Sequence, residues 1–560
     1  MGTASKHTLR TAGEAATHHP PGVSHAPPIP ETSPRPATPP NVRGHRRRRR
    51  PPCPMPKPHQ ASPAPPTPLP ILPPRGCPLA TALLALLSLL LATALWLLLV
   101  LSPAQAPVAS SSSSALSYAA ADEALYAGDA ATQLSLAHIV FGIAGSAHLW
   151  PRRREYVRLW WDPASMRGHV WLDASAPGAP GPSAAGEDSL PPIRVSEDTS
   201  RFRYTNPTGH PSGLRIARIA AEVVRLVGAG GGGARWVVLV DDDTVLSPDN
   251  LVAVLGKYDW REMVYVGAPS ESHSANTYFS HGMAFGGGGV ALSFPLAAAL
   301  ARTLDVCIER YPRLYGSDDR LHACITELGV PLSREYGFHQ WDIRGNAHGI
   351  LAAHPIAPFI SIHHVEFVDP IYPGLNSLES LELFTKAMKT EPMSFLQRSV
   401  CYDKKQKLTL AISLGYVVQV YPSVLLPPEL ERSERTYIAF NRMSQRTEFD
   451  FDTKEIQKSM CKKPALFFLK DVWKDGNITR GSYIRSSERD DLKRKVFCFR
   501  SPPLSDIDEI QVSASPLSKR WHLAPRRLCS AVKGSVNGTL FMFVRQCGRG
   551  AFGSASDSLD

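Results

Sequence analysis

The segment "WVVLVDDDTVLSPDN" (Trp236–Asn250) carries five apolar or aromatic residues directly into three consecutive aspartates. Such a run reads as a buried strand, and the residues behind it open a helix, with Ser247 at the N-cap and Pro248 at the first helical position. Capping accounts for one of these polar side chains. It does not account for Asp241, Asp242 and Asp243 together, because adjacent like charges repel unless a cation or abundant water relieves them. A hard divalent cation such as Mg2+ or Mn2+ prefers carboxylate oxygens and leaves positions open for phosphate oxygens, which suits a nucleotide-linked substrate. The competing reading is an acidic, solvated turn.

Around this segment, "HIVFGIAG", "GHVWLDAS" and "MVYVGAPS" also read as strands, with helical stretches such as "GLRIARIAAEVVRLV" between them. Apolar strands alternating with amphipathic helices predict an α/β fold with a mostly parallel central sheet covered on both faces. Ligands of such sheets bind beyond the carboxyl ends of the strands, where the three aspartates fall.

The formal net charge of +11 would ordinarily raise the question of nucleic acid. The excess sits in residues 1–77, which hold 11 Lys and Arg against Glu14 and Glu31 and contain 21 of the 51 prolines. That composition predicts a disordered cytosolic tail, not a nucleic-acid-binding domain. Next come 24 residues without a charge, "PLATALLALLSLLLATALWLLLVL" (78–101), enough to cross a bilayer as a single transmembrane signal anchor. A cleavable signal peptide would have a shorter apolar core near the N-terminus. The basic flank sends the remainder across the membrane as a type II protein. A Ser/Ala-rich stem is expected over 102–133, an α/β domain over 134–403, a β-rich region over 404–547 and a short tail from 548.

Seven of the nine cysteines follow the anchor, where an oxidising lumen allows disulfides, and an odd number leaves at least one thiol unpaired within the chain. Asn477 ("NIT") and Asn537 ("NGT") are glycosylation acceptors on that side. Three further segments bear on chemistry. "HGMAFGGGGVALS" holds Gly286, Gly287, Gly288 and Gly289 before a strand, which suggests close approach of another molecule to the backbone. "YGSDDRLHACITELGVPL" places Asp318 and Asp319 at a helix start, where capping alone would explain them. "FISIHHVEF" reads as a strand, so only one of His363 and His364 can reach a given metal.

In this order, "WVVLVDDDTVL", "FSHGMAFGGGGVALS", "YGSDDRLHACITELGVPL", "FHQWDIRGNAHG" and "SIHHVEF" behind a membrane anchor resemble the plant Fringe-like branch of glycosyltransferase family 31, over about residues 135–400. The resemblance implies a GT-A fold, a Golgi membrane location, and inverting, β-1,3-type transfer of a hexosyl unit from a UDP-sugar to a glycan or glycoconjugate hydroxyl. Mn2+ is the implied cofactor, with Mg2+ as the alternative. The metal ligands implied are Asp243, Asp241 and His364; Asp241, Asp242 and Gly286–Gly289 are expected at the nucleotide-sugar. Asp319 is favoured as catalytic base, with Asp318 kept open. The resemblance also places a short loop between Cys307 and Cys324 and thereby implies a disulfide holding the base segment. A rival reading is a catalytically inactive Golgi carbohydrate-binding or scaffold protein of the same fold. A third is a metal-dependent sugar-nucleotide hydrolase.

Overall fold

The computed structural model describes residues 133–175, 189–228, 231–403, 406–440, 448–486 and 507–548, with positions 90, 91, 93 and 498. The expected cytosolic tail, the stem before Gln133, the tail after Gly548 and nearly all of the apolar span 78–101 lie outside these residues. Among the described residues, no helix is long and apolar enough to cross a membrane.

The central sheet has seven strands: β1 (Ile139–Ala144), β2 (Arg167–Leu172), β3 (Ile193–Val195), β4 (Trp236–Asp241), β6 (Tyr265–Gly267), β7 (Val290–Ser293) and β8 (Leu332–Arg334). Their order is β3-β2-β1-β4-β7-β6-β8, and only β7 runs antiparallel to its neighbours. The mostly parallel expectation therefore holds. Side-chain alternation divides β1 and β4 between two cores. Ile139, Phe141, Trp236, Val238 and Val240 pack with Trp150 and Trp160, while Val140, Val237 and Leu239 meet the helices Ser212–Val227 and Phe294–Arg310. Fully burying each such aliphatic side chain contributes about 1.5–3 kcal/mol. A one-residue slip of β4 would exchange its faces, so the register that fills both cores also fixes Asp241 on the face of Val237 and Leu239.

A second sheet sits beneath the carboxyl end of β4. There β11 (Ser361–Ile362) lies between β5 (Val245–Leu246), its antiparallel neighbour, and β9 (Phe338–His339), its parallel one. Val245 faces Ile362, so the turn after β4 meets the residues that leave β11. The segment "FISIHHVEF" is a strand only at Ser361–Ile362; His364 adopts a left-handed conformation (φ 54°) and a 3-10 turn, Val365–Phe367, follows. Short β10 (Ile343–Gly345) pairs with Tyr437–Ala439.

The expected β-rich region is a closed barrel of eight strands. In spatial order they are Arg398–Asp403, Leu408–Ser413, Val417–Tyr421, Ala465–Asp475, Ile478–Arg485, Glu509–Ala514, Thr539–Arg545 and Leu528–Val536. Parallel pairing of Ser399 with Leu528 and Val400 with Cys529 closes it. The first barrel strand begins at Arg398, ahead of the expected boundary at 403. Trp341, Phe359 and Phe384 share one core with barrel residues such as Leu410, Val418 and Phe467, so the barrel is continuous with the α/β part. Asn477 and Asn537 are exposed in turns of barrel hairpins, where a glycan has room.

Among the described residues there are three disulfides, Cys307–Cys324, Cys461–Cys498 and Cys529–Cys547, and Cys401 is a buried free thiol. The first joins the helices Phe294–Arg310 and Asp318–Glu327. Replacing both Cys307 and Cys324 with serine is expected to lower unfolding free energy by about 3 kcal/mol in the loop-entropy model. Non-reducing peptide mapping that finds both thiols free would overturn the pairing.

Candidate active site

The three aspartates take different positions. Asp241, last residue of β4, keeps 33% of its side chain exposed, whereas those of Asp242 and Asp243 are 2% exposed. His363 Nε2 lies 3.1 Å from Asp243 Oδ1 and 3.5 Å from Asp241 Oδ2. Asp241, Asp243 and His363 form a group of potential metal ligands whose atoms lie within 4.8 Å of one another. Asp242 is not in this group: its Oδ1 pairs with Arg153 Nη1 at 2.9 Å. Arg153 Nη2 also meets Asp243 Oδ2 at 3.0 Å and Glu366 Oε2 at 2.9 Å. Part of the positive charge that three adjacent carboxylates require is thus supplied by the protein itself.

His363, not the expected His364, reaches the carboxylates. A continuous strand would place the two rings on opposite faces; the left-handed His364 ends the strand, and the ring centroids lie only 3.8 Å apart. His364 lies flat on Phe440, with centroids 4.1 Å apart, and points Nδ1 at Asp342 Oδ1 from 3.4 Å.

Burial dominates the electrostatics. It raises Asp241 to about 7, with His363 opposing and the neighbouring aspartates adding to the rise, and it raises Asp242 to about 6 against the pull of Arg153. In Asp243 burial acts the same way, but His363 and Arg153 outweigh it and hold the carboxyl well below its ordinary range. Burial would lower His363; Asp243 and Asp241 reverse that and raise it to about 9.

The glycine run explains how these groups come so close. A Cβ on Gly287 would lie 2.3 Å from the His363 ring, and one on Gly286 would lie 2.6 Å from Asp318 Oδ1. Thr244 Oγ1 donates to Gly287 O at 2.7 Å, and Gly288 N donates to Gln340 Oε1 at 2.8 Å, which fixes the turn. The four glycines were expected at the sugar-nucleotide; Gly286 and Gly287 lie against Asp318 and His363, whereas Gly288 lies against the backbone of His339 and Gln340 and Gly289 against Phe338 and Val240.

Asp318 and Asp319 are separated by their surroundings. Both oxygens of Asp319 accept backbone N–H groups, from Tyr315 at 2.6 Å and Gly316 at 2.9 Å, so this carboxylate closes its own turn. Asp318 lines one small cavity with Asp241, Gly286 and Ser317. Burial raises it to about 6, partly offset by hydrogen bonds from the Gly286 N–H and the Ser317 hydroxyl. The geometry thus places Asp318, not the favoured Asp319, beside Asp241.

The donor set fits a hard divalent cation. His363 Nδ1 lies 3.3 Å from the Gln340 carbonyl, and a proton on Nδ1 directed there leaves Nε2 as the ligating nitrogen. Asp243 Oδ1 and Asp242 Oδ2 are buried without an aligned hydrogen-bond donor. Arg153, Glu366 and Gln340 escaped the sequence reading. The signal for Arg153 was the basic "WPRRREYVR" helix, whose middle arginine turns inward.

Residues 203–345 match the family described as Fringe-like, and residues 275–530 match the family described as "Protein of unknown function, DUF604". No curated relative matches. Among solved structures, the crystal structure of a glycosyltransferase involved in the glycosylation of the major capsid of PBCV-1 is similar at 10% identity and a TM-score of 0.22, over 43% of this chain and 96% of that chain. The stretch that matches the Fringe-like family, residues 203–345, holds the aspartates, the glycine turn and Asp318, while His363 and most of the barrel fall within the stretch that matches the second family.

Proposed function

We propose that the protein is an inverting, divalent-cation-dependent glycosyltransferase that moves a hexosyl unit from a UDP-sugar to a hydroxyl of a glycan or glycoconjugate. The observation that carries this reading is the convergence of Asp241, Asp243 and His363, with Asp318 lining the same cavity as Asp241. Mn2+ is the proposed ion, with Mg2+ as alternative; held by these three ligands, it would stabilise negative charge on the leaving diphosphate. Arg153 keeps Asp243 ionised and oriented. The Gln340 carbonyl fixes the tautomer of His363. Asp318 accepts the proton of the acceptor hydroxyl as its oxygen bonds to the anomeric carbon and the bond to UDP breaks on the opposite face. A single carboxylate base suits inversion.

The full chain with Mn2+, screened against UDP-hexoses, is expected to release UDP only when an acceptor hydroxyl compound is present. Release of free sugar without acceptor would favour a hydrolase, and inactivity across the panel would favour a scaffold.

We also propose a type II membrane topology, resting on the apolar span 78–101 and its basic flank, and a Golgi location, resting on the Fringe-like resemblance alone. Protease added to sealed vesicles is expected to remove residues 1–77 and spare the remainder. Protection of that tail would reverse the orientation.

A further inference from the structure

Away from this site, a second group of ligand-type side chains meets where residues 272–281 contact residues 448–450. His273 Nδ1 lies 2.6 Å from Asp450 Oδ1, and His281 Nε2 lies 3.3 Å from Asp450 Oδ2. The three ligand atoms lie within 4.8 Å of one another. The contact is built on backbone: Ser272 and Phe449 form an antiparallel bridge, and Asp450 N donates to Glu271 O at 3.0 Å. Buried Asn276 donates from Nδ2 to Asp450 Oδ2 at 2.6 Å and so orients the carboxylate. On the far side of the His273 ring, Nε2 has its own partner, Thr277 Oγ1 at 3.4 Å. Outer-shell contacts to both carboxylate and imidazole are what orient the ligands of a metal.

We propose that His273, His281 and Asp450 form a second metal site, one that takes Zn2+. Two imidazole nitrogens and one carboxylate suit zinc, whereas the two carboxylates and one imidazole of the first site suit a harder ion. Tetrahedral zinc with bonds of about 2.0–2.2 Å separates its ligand atoms by roughly 3.3 Å. His281 Nε2 already has that spacing from Asp450 Oδ2, while His273 Nδ1 stands 2.6 Å from the other oxygen, Oδ1, so holding an ion on one oxygen takes a small turn of the carboxylate. An ion pair would need only one histidine; here each carboxylate oxygen has its own. The histidines are 47% and 60% exposed, which leaves a fourth position for water. His281 precedes Gly286 by a few residues, so the ion would tie the segment entering the glycine turn to the chain beyond β10's partner strand, Tyr437–Ala439.

The test uses the full chain carrying Asp243→Asn, which disables the first site, and Zn2+ alone as probe. One equivalent of Zn2+ per chain is expected in equilibrium dialysis, with a rise in thermal midpoint. Adding His281→Ala, a change at an exposed side chain, is expected to weaken Zn2+ binding at least about tenfold and to remove the thermal shift. Failure of the Asp243→Asn protein to take up Zn2+ would overturn the proposal, as would undiminished binding in the double variant.

Discussion

Asp243→Asn is expected to lose cation-dependent UDP binding and glycosyl transfer together, with turnover falling by at least about 10²-fold. Asp243 is the aspartate held firmly ionised, and its Oδ1 faces His363 while Oδ2 is taken by Arg153. The amide keeps the shape and removes the charge. His363→Ala is expected to follow the same pattern, since Nε2 completes the ligand set, whereas His364→Ala loses a ring stacked on Phe440 and leaves cation binding in place. Cation binding also carries a proton signature. With His363 raised to about 9, the imidazole is protonated at neutral pH, and a ligating nitrogen must first release that proton. Apparent cation affinity should therefore rise with pH until about 9, with proton release on binding. Calorimetric titration of Mn2+ and UDP in buffers of different ionisation enthalpy measures both effects. Ordinary UDP affinity in Asp243→Asn would remove this residue from the cation site.

The parts of this site that sequence made legible are those fixed by local periodicity. Strands β1, β2, β4 and β6 announce themselves as apolar runs ending near glycine or acid, and the helix Ser212–Val227 by its amphipathic face. That the three aspartates needed positive charge was also readable. What supplies it was not, because Arg153 reaches them from a helix far along the chain, and only the packing of that helix against β1 and β4 turns one arginine of three inward. That His363 and not His364 faces the carboxylates has a related cause. Alternation is a property of extended chain, and one left-handed residue after two strand residues cancels it.

The C-terminal region shows the same division at larger scale. A β-rich character is legible there from apolar runs such as "LTLAISLGYVVQVYP" (408–422) and "ALFFLKDVW" (465–473), but closure depends on Ser399 and Val400 finding Leu528 and Cys529. Pairing across such a separation leaves no local pattern. Nor did any composition change mark that the barrel shares its core with Trp341, next to Gln340, and Phe359, four residues before His363. A barrel packed in this way supports the walls of the site, and truncation before Arg398 would expose that core.

Asp318→Asn is expected to lower transfer by roughly 10²- to 10⁴-fold while leaving UDP binding intact. The carboxyl titrates near 6 in the folded chain, above its ordinary value of 3.8, so its ionisation at neutral pH opposes folding. That cost is absent at pH values below about 3.8, where both folded and unfolded chains carry the proton, and grows as pH rises toward 6. Asparagine removes it, and the variant should match or exceed the parent in thermal midpoint at pH 7. In the parent, transfer should fall as pH drops through about 6, because the protonated carboxyl accepts nothing, and a bound cation moves that limb to lower pH. Asp319→Asn should behave in the opposite sense. Its carboxylate holds the N–H groups of Tyr315 and Gly316; the amide turns an NH2 toward one of them and costs about 1–3 kcal/mol, with near-normal turnover in the molecules that remain folded. Initial rates, UDP calorimetry and thermal melts on the two variants separate a base from a turn-closing residue. Ordinary rates in Asp318→Asn, or a rate loss confined to Asp319→Asn with unchanged stability, would return the proton transfer to Asp319.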